Sequence, residues 1–144
     1  MPSVNTKIIN ETNFRLPQKL VKDCVEETLG SVDAEISIVF VEPEKIRELN
    51  KRYRGQDKVT DVLSFPMPKA TALGAKTART DNHLGDIIVC PQYIKENSEE
   101  FEWEVCHVVV HGTLHLLGKH HDEESDREKI HKLEQKIIKK VLTH

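Results

Sequence analysis

The chain has 144 residues, enough for one domain with a hydrophobic core that needs no covalent staples. Its hydrophobic fraction of 38% and charged fraction of 31% are those of an ordinary globular protein, which argues against a disordered or fibrous chain. A net charge of -3 excludes nucleic-acid binding by bulk charge, so any such binding must use a local basic patch.

Lys7 to Ile9 suggests a short first strand. From Pro17 to Leu29, apolar residues at Leu20, Val21, Cys24, Val25 and Leu29 keep helical spacing, with Pro17 suited to the first turn and Gly30 to the end. EISIVFV, Glu35 to Val41, is β-branched and mostly apolar, and predicts a strand buried on both faces. Pro43 opens a second helix with Ile46, Leu49 and Tyr53 on one face, ending near Gly55. TDVLSF, Thr60 to Phe65, is the next expected strand, stopped by Pro66. A long loop from Pro66 to His83 follows, which is either a functional excursion or a mere surface one.

LGDIIVC, Leu84 to Cys90, predicts another strand, and Pro91 starts a short helix. Trp103, Cys106, Val110, Thr113, Leu114 and Leu117 recur at helical spacing, with Gly118 as the stop. SDRE, Ser125 to Glu128, fits a capping box ahead of a last helix that should turn Ile130, Leu133, Ile137 and Val141 inward. These elements predict an α+β, zincin-like fold in which a mixed sheet of about four strands is layered with about five helices, as one domain over residues 1–144. Cys24, Cys90 and Cys106 are far apart, odd in number and set among apolar neighbours, the pattern of buried thiols in a reducing compartment. No charged-then-apolar leader opens the chain and no apolar run approaches membrane length, so the expected location is the cytoplasm, with no membrane partner.

The densest chemistry lies in HGTLHLLGKHHD, His111 to Asp122. His111 and His115 are four apart, so on a helix they share one face about 6 Å apart along the axis. Gly118 lets the chain turn back, and His121 can then supply a third nitrogen. H-x-x-x-H-x-x-G-x-x-H is the metzincin zinc spacing without its glutamate. Three neutral imidazoles with an open fourth position are the layout of a catalytic zinc, although nickel, copper and iron also accept imidazole. His120 competes with His121 for the third position. His107, one turn back on the same face, is about 12 Å of helix rise from His115, too far to share an ion, and suits a supporting or packing role. His83, His131 and His144 have no partner spacing and read as incidental.

Gly112 stands where a zinc protease carries its base. Zinc alone lowers the pKa of bound water to about 7, and a phosphodiester has nonbridging oxygens that can bind a metal or accept a proton. The attacking group on RNA is then either a 2′-hydroxyl or a metal-bound water. A second region points the same way. EKIRELNKRYRGQDK, Glu44 to Lys58, gathers Lys45, Arg47, Lys51, Arg52, Arg54 and Lys58 around Tyr53, a mixture suited to a phosphate backbone with a stackable base. A solvated helix face balanced by Glu44, Glu48 and Asp57 is the alternative.

LNKRYRGQDKVTDVLSFP, LGDIIVC and HGTLHLLGKHH together resemble the YbeY-type endoribonucleases, bacterial rRNA maturation factors. The resemblance runs through most of the chain. It implies a zinc-like site of His111, His115 and His121, and a functional arginine at Arg54. On an endoribonuclease reading, Lys51, Arg52 and Lys58 of the basic segment would steer the strand. The resemblance implies metal-dependent cleavage of single-stranded RNA, in 16S rRNA 3′-end processing and ribosome quality control with the small ribosomal subunit, and no DNA substrate. Many members carry tyrosine-aspartate where this chain has Lys119 and His120, which preserves the spacing to His121. Two other functions compete: a non-catalytic ribosome-assembly factor with a structural metal, and a metalloprotease.

Overall fold

The computed structural model describes residues 4–67, 82–118 and 124–143. The elements run β1 (Val4–Asn10), α1 (Gln18–Leu29), β2 (Ala34–Phe40), α2 (Pro43–Arg54), β3 (Val62–Pro66), β4 (His83–Val89), α3 (Pro91–Asn97), α4 (Phe101–Leu116) and α5 (Glu124–Leu142). The sheet order is β1-β2-β4-β3. β1, β2 and β4 are parallel, and β3 closes one edge antiparallel to β4. The expected four strands and five helices are therefore present among the described residues, with strand ends shifted by one to three residues.

β2 is buried at every position, as its continuous apolar run requires of a strand covered on both faces. Alternation divides its side chains between two cores. Ile36, Ile38 and Phe40, with Ile87 and Val89 of β4, pack under α1, α4 and α5. Val39 and Val41, with Ile88, Leu63 and Phe65, pack under Ile46 and Leu49 of α2. Helices therefore lie on both sides of the sheet, with α2 on one side and α4 central on the other. Cys24, Cys90 and Cys106 are buried thiols, as expected.

Most of the prolines and glycines singled out by the pattern act where it places them. Pro43 and Pro91 occupy the first turns of α2 and α3, where a missing N–H costs nothing. Pro17 caps α1 from outside instead of sitting in its first turn. Gly55 ends α2 in the left-handed conformation, donating to the Asn50 and Lys51 carbonyls. Gly85 permits the β3–β4 approach: at φ 155° any Cβ would be driven into the Phe65 carbonyl and to 2.9 Å from Pro66 Cα.

Two expectations about α5 need correction. The helix begins at Glu124, so Ser125 stands in its first turn instead of at the cap. Leu133 is 37% exposed, and Glu134 is turned inward instead, at 2%. Ile130, Glu134, Ile137 and Val141 are spaced four, three and four, so the inward stripe passes through a carboxylate.

Candidate metal centre and basic surface

α4 is apolar nearly all round because it is covered on most sides: Val105, Cys106, Val108, Val109, Val110 and Leu114 are all buried. Against that background His107, His111 and His115 form one partly buried stripe at i, i+4 and i+8. The rings of His111 and His115 lie 4.4 Å apart between centroids, inclined at 44°, and His115 Nε2 is shielded from solvent. His107 and His111 are 6.2 Å apart.

Glu134 reaches this stripe from α5. Its Oε2 is 2.7 Å from His111 Nδ1, and its Oε1 is 3.4 Å from His107 Nε2. Burial pushes the Glu134 carboxyl up, but hydrogen bonds from His107 and His111 outweigh it and bring it down to about 2. His107 is raised in turn, mainly by its hydrogen bond with Glu134, against the opposing effect of burial. His107 also lies 3.7 Å from Glu104 and packs on Trp103. The supporting role expected for His107 thus has a partner, one that the spacing of α4 alone does not disclose.

Two imidazoles on one helix face, one already oriented through Nδ1 by a carboxylate, are a donor set that suits a transition metal bound through Nε2. His121 and His120 lie outside the described residues. Among the described residues, no three His, Cys, Asp or Glu side chains converge on a single metal position. His111 and His115 are therefore the part of the expected triad that the fold brings together.

Gly112 does not face this site. A Cβ built there would lie 3.1 Å from Ile87 Cδ1, Ile87 Cγ2 and Ser64 Oγ. The position that carries the base in a metzincin here presses on β4 and β3, and glycine is what lets α4 lie that close.

Ser64 links the two candidate regions. Its hydroxyl meets α4 on one side of the sheet, while its neighbours Leu63 and Phe65 point to α2 on the other. Its carbonyl, on the edge strand, accepts a 2.8 Å hydrogen bond from Arg54 Nη2. Arg54 is exposed, with its guanidinium 5.9 Å from the Phe65 ring centroid. The arginine at the end of α2 therefore holds the outer edge of β3, while the histidine helix packs on the inner side of the same residue.

The other basic residues line the outer surface of α2 and the turn after it. Lys51, Arg52 and Lys58 are all exposed. Lys51 is 4.0 Å from Asp57, which also receives Arg47 at 2.7 Å, so part of the segment's charge is internally balanced. Arg52 lies over Tyr53, whose 43%-exposed ring stands edge-on to Phe65. The surface offers cations and an aromatic side by side.

His83 is not incidental. Its Nδ1 lies 2.7 Å from Glu35 Oε1 and its Nε2 2.9 Å from Asp86 Oδ1, all three side chains being essentially buried. Lys7 and Asn5 approach the other Glu35 oxygen at 3.5 and 3.3 Å. A β-bulge explains the cluster. Glu35 pairs with His83 but Ile36 pairs with Gly85, so β4 carries one extra residue. That residue turns His83 to the face of Asp86, three positions on, where a regular strand would put them on opposite faces. A spacing of three in an expected strand hides this pairing. His131, in contrast, is exposed on α5, and His144 lies outside the described residues.

A family model described as Endoribonuclease YbeY matches residues 3–142. The chain is 38% identical over 147 residues to the endoribonuclease YbeY of Sulfurihydrogenibium sp. (strain YO3AOP1), covering 95% of this chain and 93% of that protein. It is 35% identical over 130 residues to that of Chelativorans sp. (strain BNC1), covering 88% and 77%. Among solved structures, the solution structure of TM1509 from Thermotoga maritima superposes with a TM-score of 0.65 at 31% identity, over 94% of this chain and 88% of that one. No helix among the described residues is long and apolar enough to cross a membrane.

Proposed function

The chain belongs to the endoribonuclease YbeY family, hydrolases that cut RNA, and on that premise we propose that it is a metal-dependent, single-strand-specific endoribonuclease. The observation that carries the reading is the paired His111 and His115 on α4, with Glu134 on His111 Nδ1 and Arg54 held across β3 at Ser64. His111, His115 and His121 would hold one transition-metal ion, for which we propose zinc because three imidazoles with an open fourth position are a catalytic zinc's layout. When bound, such an ion supplies a Lewis acid for a phosphoryl oxygen and an acidified water.

The chain's own residues supply the rest. Arg54 offers a planar guanidinium that pairs with the scissile phosphate and stabilises charge developing on it. Lys51, Arg52 and Lys58 draw the strand along α2 through contacts to phosphates. Edge strand β3 separates α2 from α4, so a strand passing around it would meet the cations and then the histidines. The biological role we assign is 16S rRNA 3′-end maturation and ribosome quality control on the small subunit. Buried, unpaired thiols support a cytoplasmic setting. A metalloprotease is disfavoured because Gly112 packs on Ile87 and Ser64, where no base could reach the histidine face.

Purified protein should cut a labelled single-stranded RNA and spare the same sequence as duplex RNA or DNA. Chelator should abolish cutting, as should His111→Ala in a protein that circular dichroism shows to be folded. Equal cutting by that variant would assign the activity to a contaminant and overturn the reading.

A further inference from the structure

Glu134 occupies an inward position of α5 between Ile130 and Ile137, where packing alone would select another aliphatic residue. At 2% exposure a carboxylate is retained only if its oxygens are paired. Both are paired, and both partners are histidines of α4. Oε2 takes His111 Nδ1 at 2.7 Å, and Oε1 takes His107 Nε2 at 3.4 Å. His107 is itself braced by the Trp103 ring, 5.0 Å between centroids, and by Glu104 at 3.7 Å. The contacts form a chain from Trp103 through His107 and Glu134 to His111.

A carboxylate oxygen on Nδ1 accepts that nitrogen's proton, so a neutral His111 ring must carry it there. Nε2 is then the lone-pair nitrogen, the form in which imidazole binds a metal, and the carboxylate fixes the ring's rotation as well. Resting on the metal-site reading above, we propose that Glu134 is the positioning residue of the metal centre, that it sets the His111 tautomer and ring orientation before any metal arrives, and that His107 acts through Glu134 by holding its second oxygen. His107 then serves the centre without touching the ion.

The first measurement needs neither metal nor RNA. Long-range ¹H–¹⁵N correlation spectra of the metal-free protein, recorded above the ordinary imidazole titration range, should show the His111 proton on Nδ1. In Glu134→Ala the ring should shift toward a mixture of tautomers. Zinc affinity, measured by competition with a chromogenic chelator, should fall about 10- to 100-fold in the same variant. Glu134→Gln keeps the side chain's shape and guards against misfolding; it loses the charge, and an NH₂ donor replaces one of the two accepting oxygens, so its zinc affinity should also fall. His107→Ala should lower the affinity by less, and should have no further effect in the Glu134→Ala background. A His111 proton on Nε2 in the wild-type protein would overturn the proposal, as would wild-type zinc affinity in folded Glu134→Gln. Loss of RNA cleavage activity in every preparation, with these tautomer and zinc results intact, would refute the nuclease reading and leave Glu134's role standing.

Discussion

Placing the missing glutamate back is the sharpest perturbation this fold offers. Gly112→Glu restores the metzincin motif in sequence, yet the structure predicts an unstable protein and no peptidase. The Cβ alone would lie 3.1 Å from two atoms of Ile87 and from Ser64 Oγ. Ile87 is fully buried between α4 and the sheet, so it has little room to move. For Gly112→Ala the gain in helix propensity, about 1 kcal/mol, opposes an overpacking cost of about 1–3 kcal/mol. The net expectation is a loss of about 1 kcal/mol, or roughly 3 °C in melting temperature for a chain of this size. Gly112→Glu adds a carboxylate driven into that contact, and the loss should exceed about 4 kcal/mol, in the range reserved for specific structural damage. Urea unfolding followed by circular dichroism reads these values as shifts of the midpoint at constant slope. Ile87→Val supplies an internal control, because it removes Cδ1, one of the crowding atoms. Alone it should cost about 0.5–1.5 kcal/mol, but combined with Gly112→Ala it should cost less than the sum of the two. A Gly112→Glu protein with the wild-type midpoint, or one that hydrolyses peptides, would refute the packing assigned to Gly112.

Arg54→Ala should cost about 1 kcal/mol of stability, since the exposed side chain gives up its hydrogen bond to the Ser64 carbonyl, and should cut RNA cleavage by about 10²-fold or more; Arg54→Lys should rescue little of it, because an ammonium lacks the planar fork. Replacing Lys51, Arg52 and Lys58 together by Ala should lower the salt dependence of single-stranded RNA binding by about two units of slope, measured by fluorescence anisotropy; an unchanged slope would remove these residues from the strand's path. His83→Leu leaves Glu35 and Asp86 buried without their shared partner and should cost about 3–5 kcal/mol in chemical denaturation, whereas a neutral effect would show that the bulge cluster contributes nothing to the sheet. Glu134, held at about 2 against an ordinary 4.5, contributes about 3 kcal/mol that is complete above 4.5 and disappears as pH falls through about 2. The stability gap between the metal-free wild type and Glu134→Gln should therefore be wide at neutral pH and close in acid. His107, being raised, contributes in the opposite sense: its share is present below 6.5 and lost as pH rises through its folded value.

What could be read from residues alone divides along a physical line. Periodicity reports on burial against a layer, so β2, α2 and α4 were legible, with Pro43 marking the start of α2 and Gly118 the end of α4. The helical pair His111 and His115 was legible for the same reason: i and i+4 is a local geometry. Glu134 was not, because an acidic residue beside Leu133 looks like the solvent side of an amphipathic helix. Its burial depends on two histidines 23 and 27 positions away in the chain, a long-range pairing with no local signature. His83 was hidden differently. Alternation assigns residues 83 and 86 to opposite faces of a strand, and only a bulge overrides that. Both misreadings have one cause. A buried charge is stable only with its partners in place, and partners brought from another element are what a pattern of single residues cannot express. In a chain whose histidine-bearing helix is apolar nearly all round, a polar residue breaking an apolar stripe on a facing helix is therefore the signal to follow, and here that signal leads from Glu134 directly to His111.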